Sequence, residues 1–172
     1  MPAVGNEREE ERVRSTRRHL IAEVEARPVE ADLVIRPVTL EDADDLAALM
    51  VDAYAGAAEA HSAEALDGAL AEVHKFFGGL YGEPMLDASM VAVAVEGLAS
   101  ASLVSRYQGA PLLALLMTAS VWKHRGLARA TAQSSMNALA EKGETTLALI
   151  VTAANRPALE LSEDLGFCDF TT

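Results

Sequence analysis

The sequence predicts an α/β protein built on one mixed sheet flanked by helices. Three observations carry this. Short β-branched or apolar runs alternate with longer stretches of helical periodicity. Three strand-like runs follow one another between residues 89 and 120, which describes an antiparallel meander. Beyond residue 120 the order becomes helix, strand, helix, short strand, which describes parallel crossover units.

Residues 1–30 stand apart. The stretch NEREEERVRSTRRHLIAEVEARP is highly charged, with Val13, Leu20, Ile21 and Val24 as a sparse apolar stripe, and is expected to be a solvent-facing helix ended by Pro28. The division expected is therefore a charged helical extension over 1–30 and a globular domain over 31–172. DLVIRPV (32–38) reads as the first strand, with Pro37 limiting its pairing. Thr39 is placed to cap a helix reaching about Ala55, with Glu41 and Asp42 in its first turn. A second helix is expected from about Ser62 to Phe77, with Leu66, Leu70, Val73 and Phe77 on one face.

GGLYGEP (78–84) is loop by composition. SMVAVAV (89–95) and LASASLVSRY (98–107) read as strands joined at Glu96–Gly97, and LLALLMTAS (112–120) as a third, apolar throughout and therefore buried on both faces. The alanine-rich run from Gly126 to Lys142 reads as a helix with Gly143 past its end. TLALIVT (146–152) is a buried strand, Asn155 starts a helix that finishes near Gly166, and FCDF (167–170) is a last short strand.

Composition narrows the function. The net charge is −12 over 172 residues, which disfavours nucleic acid as a partner and accommodates a cationic substrate such as an amine. No apolar run approaches the roughly 20 residues of a membrane span. The lone Cys168 allows no internal disulfide, and a cytoplasmic location is the simplest expectation. The four histidines, His19, His61, His74 and His124, fit no zinc spacing, so no metal is expected.

Against this acidic background, VWKHRGLARA (121–130) gathers Lys123, His124, Arg125 and Arg129 around Gly126 where a strand gives way to a helix. Such a turn presents unpaired N–H groups at the positive end of the helix dipole, and a glycine there lets an anion approach the backbone closely.

Two segments together resemble the GNAT superfamily of N-acetyltransferases. Its signature Gln/Arg-x-x-Gly-x-Gly/Ala stands as Lys123-His124-Arg125-Gly126-Leu127-Ala128, with Lys at the first position. Its later segment, Asn-x-x-Ala-x-x-Leu-Tyr-x-x-x-Gly-Phe, stands as Asn155, Ala158, Leu161, Ser162, Gly166 and Phe167, with Ser162 in place of the tyrosine. Element order agrees from about Asp32 to Phe170.

The resemblance implies an acyl-CoA N-acyltransferase fold, with acetyl-coenzyme A as cosubstrate and a primary amine of a small molecule or peptide as acceptor. It implies pyrophosphate on the backbone of Arg125, Gly126, Leu127, Ala128 and Arg129 with Lys123 nearby. It also implies pantetheine along Met117, Thr118 and Ala119, and Asn155 beside it or serving as a plain helix cap.

The catalytic acid and base stay unassigned. Ser162 replaces the family's usual proton donor, and the strand over 112–120 carries no carboxylate. Glu83, Asp87, Glu59 and His61 are the remaining candidates to face the acceptor. The alternative function is a coenzyme-A-binding domain without transferase activity, serving as a regulatory or interaction module. Family chains continue past Gly-Phe through a final hairpin, whereas CDFTT follows here. The sheet edge is therefore expected to be covered either by a homodimer partner, the preferred expectation, or by residues 1–30 of the same chain.

Overall fold

The structure is a computed structural model that describes residues 16–54, 62–153 and 155–170. Within these, β1 is Arg17–Glu23, β2 Val34–Pro37, α1 Ala43–Tyr54, α2 Ala63–Phe77, β3 Glu83–Pro84, β4 Met90–Ala94, β5 Gly97–Tyr107 and β6 Ala110–Thr118. They are followed by α3 Leu127–Glu141, β7 Thr146–Thr152, α4 Arg156–Asp164 and β8 Cys168–Asp169. The eight strands form one sheet in the order β2-β4-β5-β6-β7-β1-β8, with β3 paired to β5. All pairings are antiparallel except β6 with β7.

The helix expected before residue 30 is not formed over the part described: residues 17–23 are a strand. All seven of its residues pair with β7, from Arg17↔Thr152 to Glu23↔Thr146. The physical reason is period. Leu20 and Ala22 are each 3% exposed while His19 and Glu23 point to solvent, so the segment alternates by two where a stripe of 3.6 was expected. Residues 1–15 lie outside the described residues.

This strand also fills the edge at which a partner chain was expected. β1 occupies the flank of β7 and carries β8 on its other side through Leu20↔Asp169 and Ile21↔Cys168. A bidentate pair from Arg18 to Asp169, at 3.0 and 2.7 Å, ties the two strands. The alternative cover, residues of the same chain, is the one realised, by a strand rather than a helix.

Helices cover both faces. Adjacent residues of a strand point to opposite sides, and Leu103 and Val104 divide accordingly. Leu103 belongs to a core with Leu46, Leu49 and Met50 of α1 and Val73 and Phe76 of α2. Val104 belongs to a core with Ala132, Met136 and Leu139 of α3, Leu20, Leu147 and Phe167, against which α4 packs. The buried face of α2 is Ala69, Val73 and Phe76; the expected face was rotated from this, since Leu66 is exposed and Leu70 and Phe77 are half-buried. β6 and β7 are less buried than expected: Leu115 and Leu116 are half-buried and Ile150 is exposed. No helix among the described residues is long and apolar enough to cross a membrane.

Two devices fix the ends that flank the site. Thr39 and Asp42 form a capping box before α1, and Arg36 clasps Asp42 with two bonds of 2.8 Å. The Arg36 hydrogen bonds hold the Asp42 carboxyl below its usual pKa, against the opposing effect of its burial. Between β1 and β2 the chain crosses α3 as a strap. Asn137 exchanges two bonds with the Arg27 backbone, at 2.8 and 2.9 Å, and Gln133 donates to the Glu25 carbonyl at 2.9 Å.

Candidate functional site

β6 ends at Thr118, and Ser120–Trp122 form a single 3-10 turn before the chain enters α3. Two residues of the connection adopt left-handed backbone conformations: His124 at φ 64° and Gly126 at φ 77°. For a histidine this costs about 1 kcal/mol, the kind of local strain that collects at functional turns. The first N–H groups of any α-helix lack intrahelical partners, and those of α3 receive no side-chain cap. α2 and α4, by contrast, begin with capping bonds from Ser62 and Asn155. A Cβ built on Gly126 meets nothing within 4 Å, so the space before the helix is open.

The cations around this turn are held in different ways. Lys123 Nζ donates to the Ala53 carbonyl at 3.3 Å, and Arg129 pairs with Asp164 at 3.1 Å. The Arg125 guanidinium lies over the Trp122 ring, 4.9 Å from its centroid. All three are exposed. A cleft of about 180 Å³ opens on one side of the turn, between Gly126, Arg129 and Gln133 of the α3 side, Asp164 of α4 and strap residues Arg27 and Glu30.

The second half of the site is a gap in the sheet. β6 and β7 are registered only at Leu112↔Ala148 and Leu113↔Leu149, and then diverge. β6 meanwhile stays paired with β5 through Ser100↔Thr118. Ala119 N donates to Ala99 O at 2.8 Å, so by the alternation of an antiparallel ladder Met117 and Ala119 turn their backbone groups to β5. Leu116 and Thr118 turn theirs to the gap. Of the three backbone positions expected to line a pantetheine arm, Thr118 therefore faces the gap, and Met117 and Ala119 do not.

The last turn of α1 closes in on this edge. The Tyr54 hydroxyl donates to the Leu116 carbonyl at 3.1 Å. Its side chain is largely exposed, and desolvation raises the hydroxyl pKa above its ordinary value. The Asp52 carboxylate accepts from Ser120 N at 2.7 Å and Ser120 Oγ at 2.9 Å, fixing the 3-10 turn to α1.

Of the remaining candidates, two are engaged in bonds within α4 and two lie away from the end of β6. Ser162 is 3% exposed and donates to the Ala158 carbonyl at 2.6 Å, an internal helix bond. Asn155 Oδ1 accepts from Ala158 N at 3.3 Å, the plain cap. Glu83 sits opposite Arg106, which pairs with Pro111. From Pro111 to Thr118 the strand runs roughly 23 Å. Asp87 forms an ion pair with Lys142, past the far end of the 15-residue α3, which is about 22 Å long. Neither acid therefore lies beside Thr118 or the phosphate turn. Glu59 and His61 lie outside the described residues.

Leu116, Tyr54 and Asp52 escaped sequence reading. Leu116 is recoverable once the strand parity is known. Tyr54 and Asp52 show no local signal, because their relevance comes from how α1 docks on β6.

Comparison with known proteins bears on the fold. The family model described as FR47-like protein matches residues 94–172. No curated protein sequence matches. Among solved structures, a protein from Pyrococcus horikoshii is 17% identical, with a TM-score of 0.67 over 82% of this chain and 92% of the other. The PaiA N-acetyltransferase of Thermoplasma acidophilum, in complex with coenzyme A, is 17% identical, with a TM-score of 0.62 over 83% and 93%. The ribosomal-protein-S18-alanine N-acetyltransferase of Escherichia coli is 20% identical, with a TM-score of 0.61 over 80% and 79%. The fold is that of the GNAT acetyltransferases.

Proposed function

We propose that this GNAT-fold chain is an acetyl-coenzyme A-dependent N-acetyltransferase acting on a primary amine of a small molecule or peptide. The observation that carries the reading is the gap between β6 and β7 ending beside an uncapped, open helix N-terminus. The structurally similar Thermoplasma protein is in complex with coenzyme A, which supports a coenzyme A ligand for this fold.

The residues present fit such a ligand. Gly126 leaves room for a phosphate against the N–H groups of Leu127, Ala128 and Arg129, where the helix dipole also favours an anion. Lys123, Arg125 and Arg129 supply charge around it. Thr118 and the Leu116 N–H offer backbone groups toward the gap, the Leu116 carbonyl already accepting from Tyr54, so an extended amide-bearing arm pairs there as a strand would. When bound, the thioester supplies an activated acetyl group and a thiolate leaving group that is tolerable near neutral pH.

The chain's part is then positional. The β6 edge fixes the arm, the turn fixes the phosphates, and the resulting alignment converts a bimolecular attack into an oriented one. The attacking amine must be neutral, so the rate rises with pH as the acceptor loses its proton. A second reading, coenzyme A binding without transfer, draws on Ser162 being buried and internally bonded. Its hydroxyl is committed within α4.

The test is release of thiol from acetyl-coenzyme A across primary amines: polyamines, amino sugars and peptides with free N-termini. Amine-dependent release with acetylated product identifies the acceptor. Tight coenzyme A binding with no release above hydrolysis on any amine supports the second reading.

A further inference from the structure

We infer that Trp122 is a positioning residue that holds Arg125 ready for a phosphate of the coenzyme; this rests on the donor-site reading above. The indole N–H of Trp122 donates to Glu96 Oε1 at 3.1 Å, anchoring the ring to the β4–β5 turn. The half-buried ring also packs beside Leu127, Ala92 and Ala99, so its orientation is fixed from two sides. The Arg125 guanidinium carbon lies over the ring, 4.9 Å from the centroid, one residue before Gly126.

This support differs from that of its neighbours. Arg129 is engaged by Asp164, and Lys123 by the Ala53 carbonyl. Arg125 has no acidic partner among the described residues. A cation–π contact uses no hydrogen-bond acceptor, which leaves the guanidinium N–H groups unspent. An arginine so held is oriented for bidentate contact with a phosphate, and a lysine cannot reproduce that. Trp122 therefore acts through Arg125 and does not itself touch the ligand.

The experiment is a double-mutant cycle read by calorimetry, with coenzyme A and with pantetheine, which lacks the phosphates. Trp122→Leu is expected to weaken coenzyme A about fivefold, or about 1 kcal/mol, and to leave pantetheine unchanged. In an Arg125→Gln background the same substitution is expected to cost nothing further. An equal loss in both backgrounds, or no loss in either, overturns the inference. Trp122 is the single tryptophan of the chain, so its emission gives a readout that needs no change to the core. Coenzyme A is expected to alter the emission of the unsubstituted protein, and Arg125→Gln at saturating coenzyme A is expected to abolish that change. Emission that ignores coenzyme A overturns the inference even if Trp122→Leu fails to fold. An unsubstituted protein that binds no coenzyme A removes the donor-site reading, and this inference with it.

Discussion

Gly126 and Gly143 stand at opposite ends of α3 in nearly the same backbone state, at φ 77° and 80°, and an added Cβ meets nothing within 4 Å at either. Alanine at each position therefore carries the same backbone penalty, about 1 kcal/mol for a left-handed non-glycine residue. In a chain of this size that lowers Tm by roughly 2–4 °C. The two substitutions differ in what lies in front of them. At Gly143 there is solvent beyond the helix C-terminus. At Gly126 there is open space before the first N–H groups of α3, where the proposed phosphate would lie.

A phosphate oxygen sits about 2.9 Å from a donor nitrogen, whereas a methyl group holds an oxygen off at roughly 3.5 Å. The displacement spoils one or two charge-assisted hydrogen bonds, each contributing about 1.5–3 kcal/mol. Gly126→Ala is thus expected to weaken coenzyme A by about 3 kcal/mol, on the order of 150-fold, and Gly143→Ala by less than about twofold. Thermal melts without ligand and calorimetry with coenzyme A read the two effects separately. Matching melts with affinities within about threefold of each other would show that no phosphate rests on this turn.

Three further outcomes follow from the same structure. Ser162→Ala is expected to cost about 1 kcal/mol of stability and less than about tenfold in kcat, because the hydroxyl is spent on Ala158; a loss of several hundredfold in a folded protein contradicts this. A chain beginning at Ala31 lacks β1, exposing the β7 edge and removing Leu20 and Ala22 from the core, and is expected to aggregate in light scattering; a soluble monomer contradicts it. The depressed Asp42 carboxyl stabilises the fold above its ordinary pKa near 4, and that contribution fades as pH falls through the lower folded value. Asp42→Asn is therefore expected to lower the urea midpoint at pH 7 and to narrow the fall between pH 5 and pH 2; an unchanged fall refutes the role of the pair.

What the sequence discloses and what it hides divide along local and non-local lines. The meander, the helix from Gly126 to Gly143 and the basic turn are encoded by short-range signals: alternating apolar runs, glycines past strand and helix ends, and a cationic cluster. The parity of β6 is not local. Whether Met117 or Thr118 faces the gap depends on its pairing with Ala99 and Ser100 across the sheet, which one strand cannot reveal. Tyr54 is hidden for the same reason, 62 residues from the carbonyl it bonds. Residues 17–23 were misread because RRHLIAE between charged flanks satisfies a sparse helical stripe as well as an alternation. The antiparallel partner β7 decides between them by offering a full row of ladder groups.

That choice has a consequence for the site. A gap between β6 and β7 is useful only if both walls stay extended where they part. β6 is braced by β5 as far as Ser100↔Thr118, with one irregularity between Leu103 and Val104 that leaves Ala114 unpaired in the ladder. β7 loses β6 beyond Leu149, and a strand bonded to nothing past that point would carry unpaired backbone groups on both edges. β1 supplies the missing brace, pairing His19, Arg18 and Arg17 with Ile150, Val151 and Thr152, the three residues that border the gap. The Arg18–Asp169 pair and the bond from Phe170 N to His19 O fasten β1 in turn to β8. The charged segment before residue 30 thus holds one wall of the gap in place. Substitutions that weaken its pairing without unfolding the core should accordingly loosen pantetheine binding while sparing the phosphate turn.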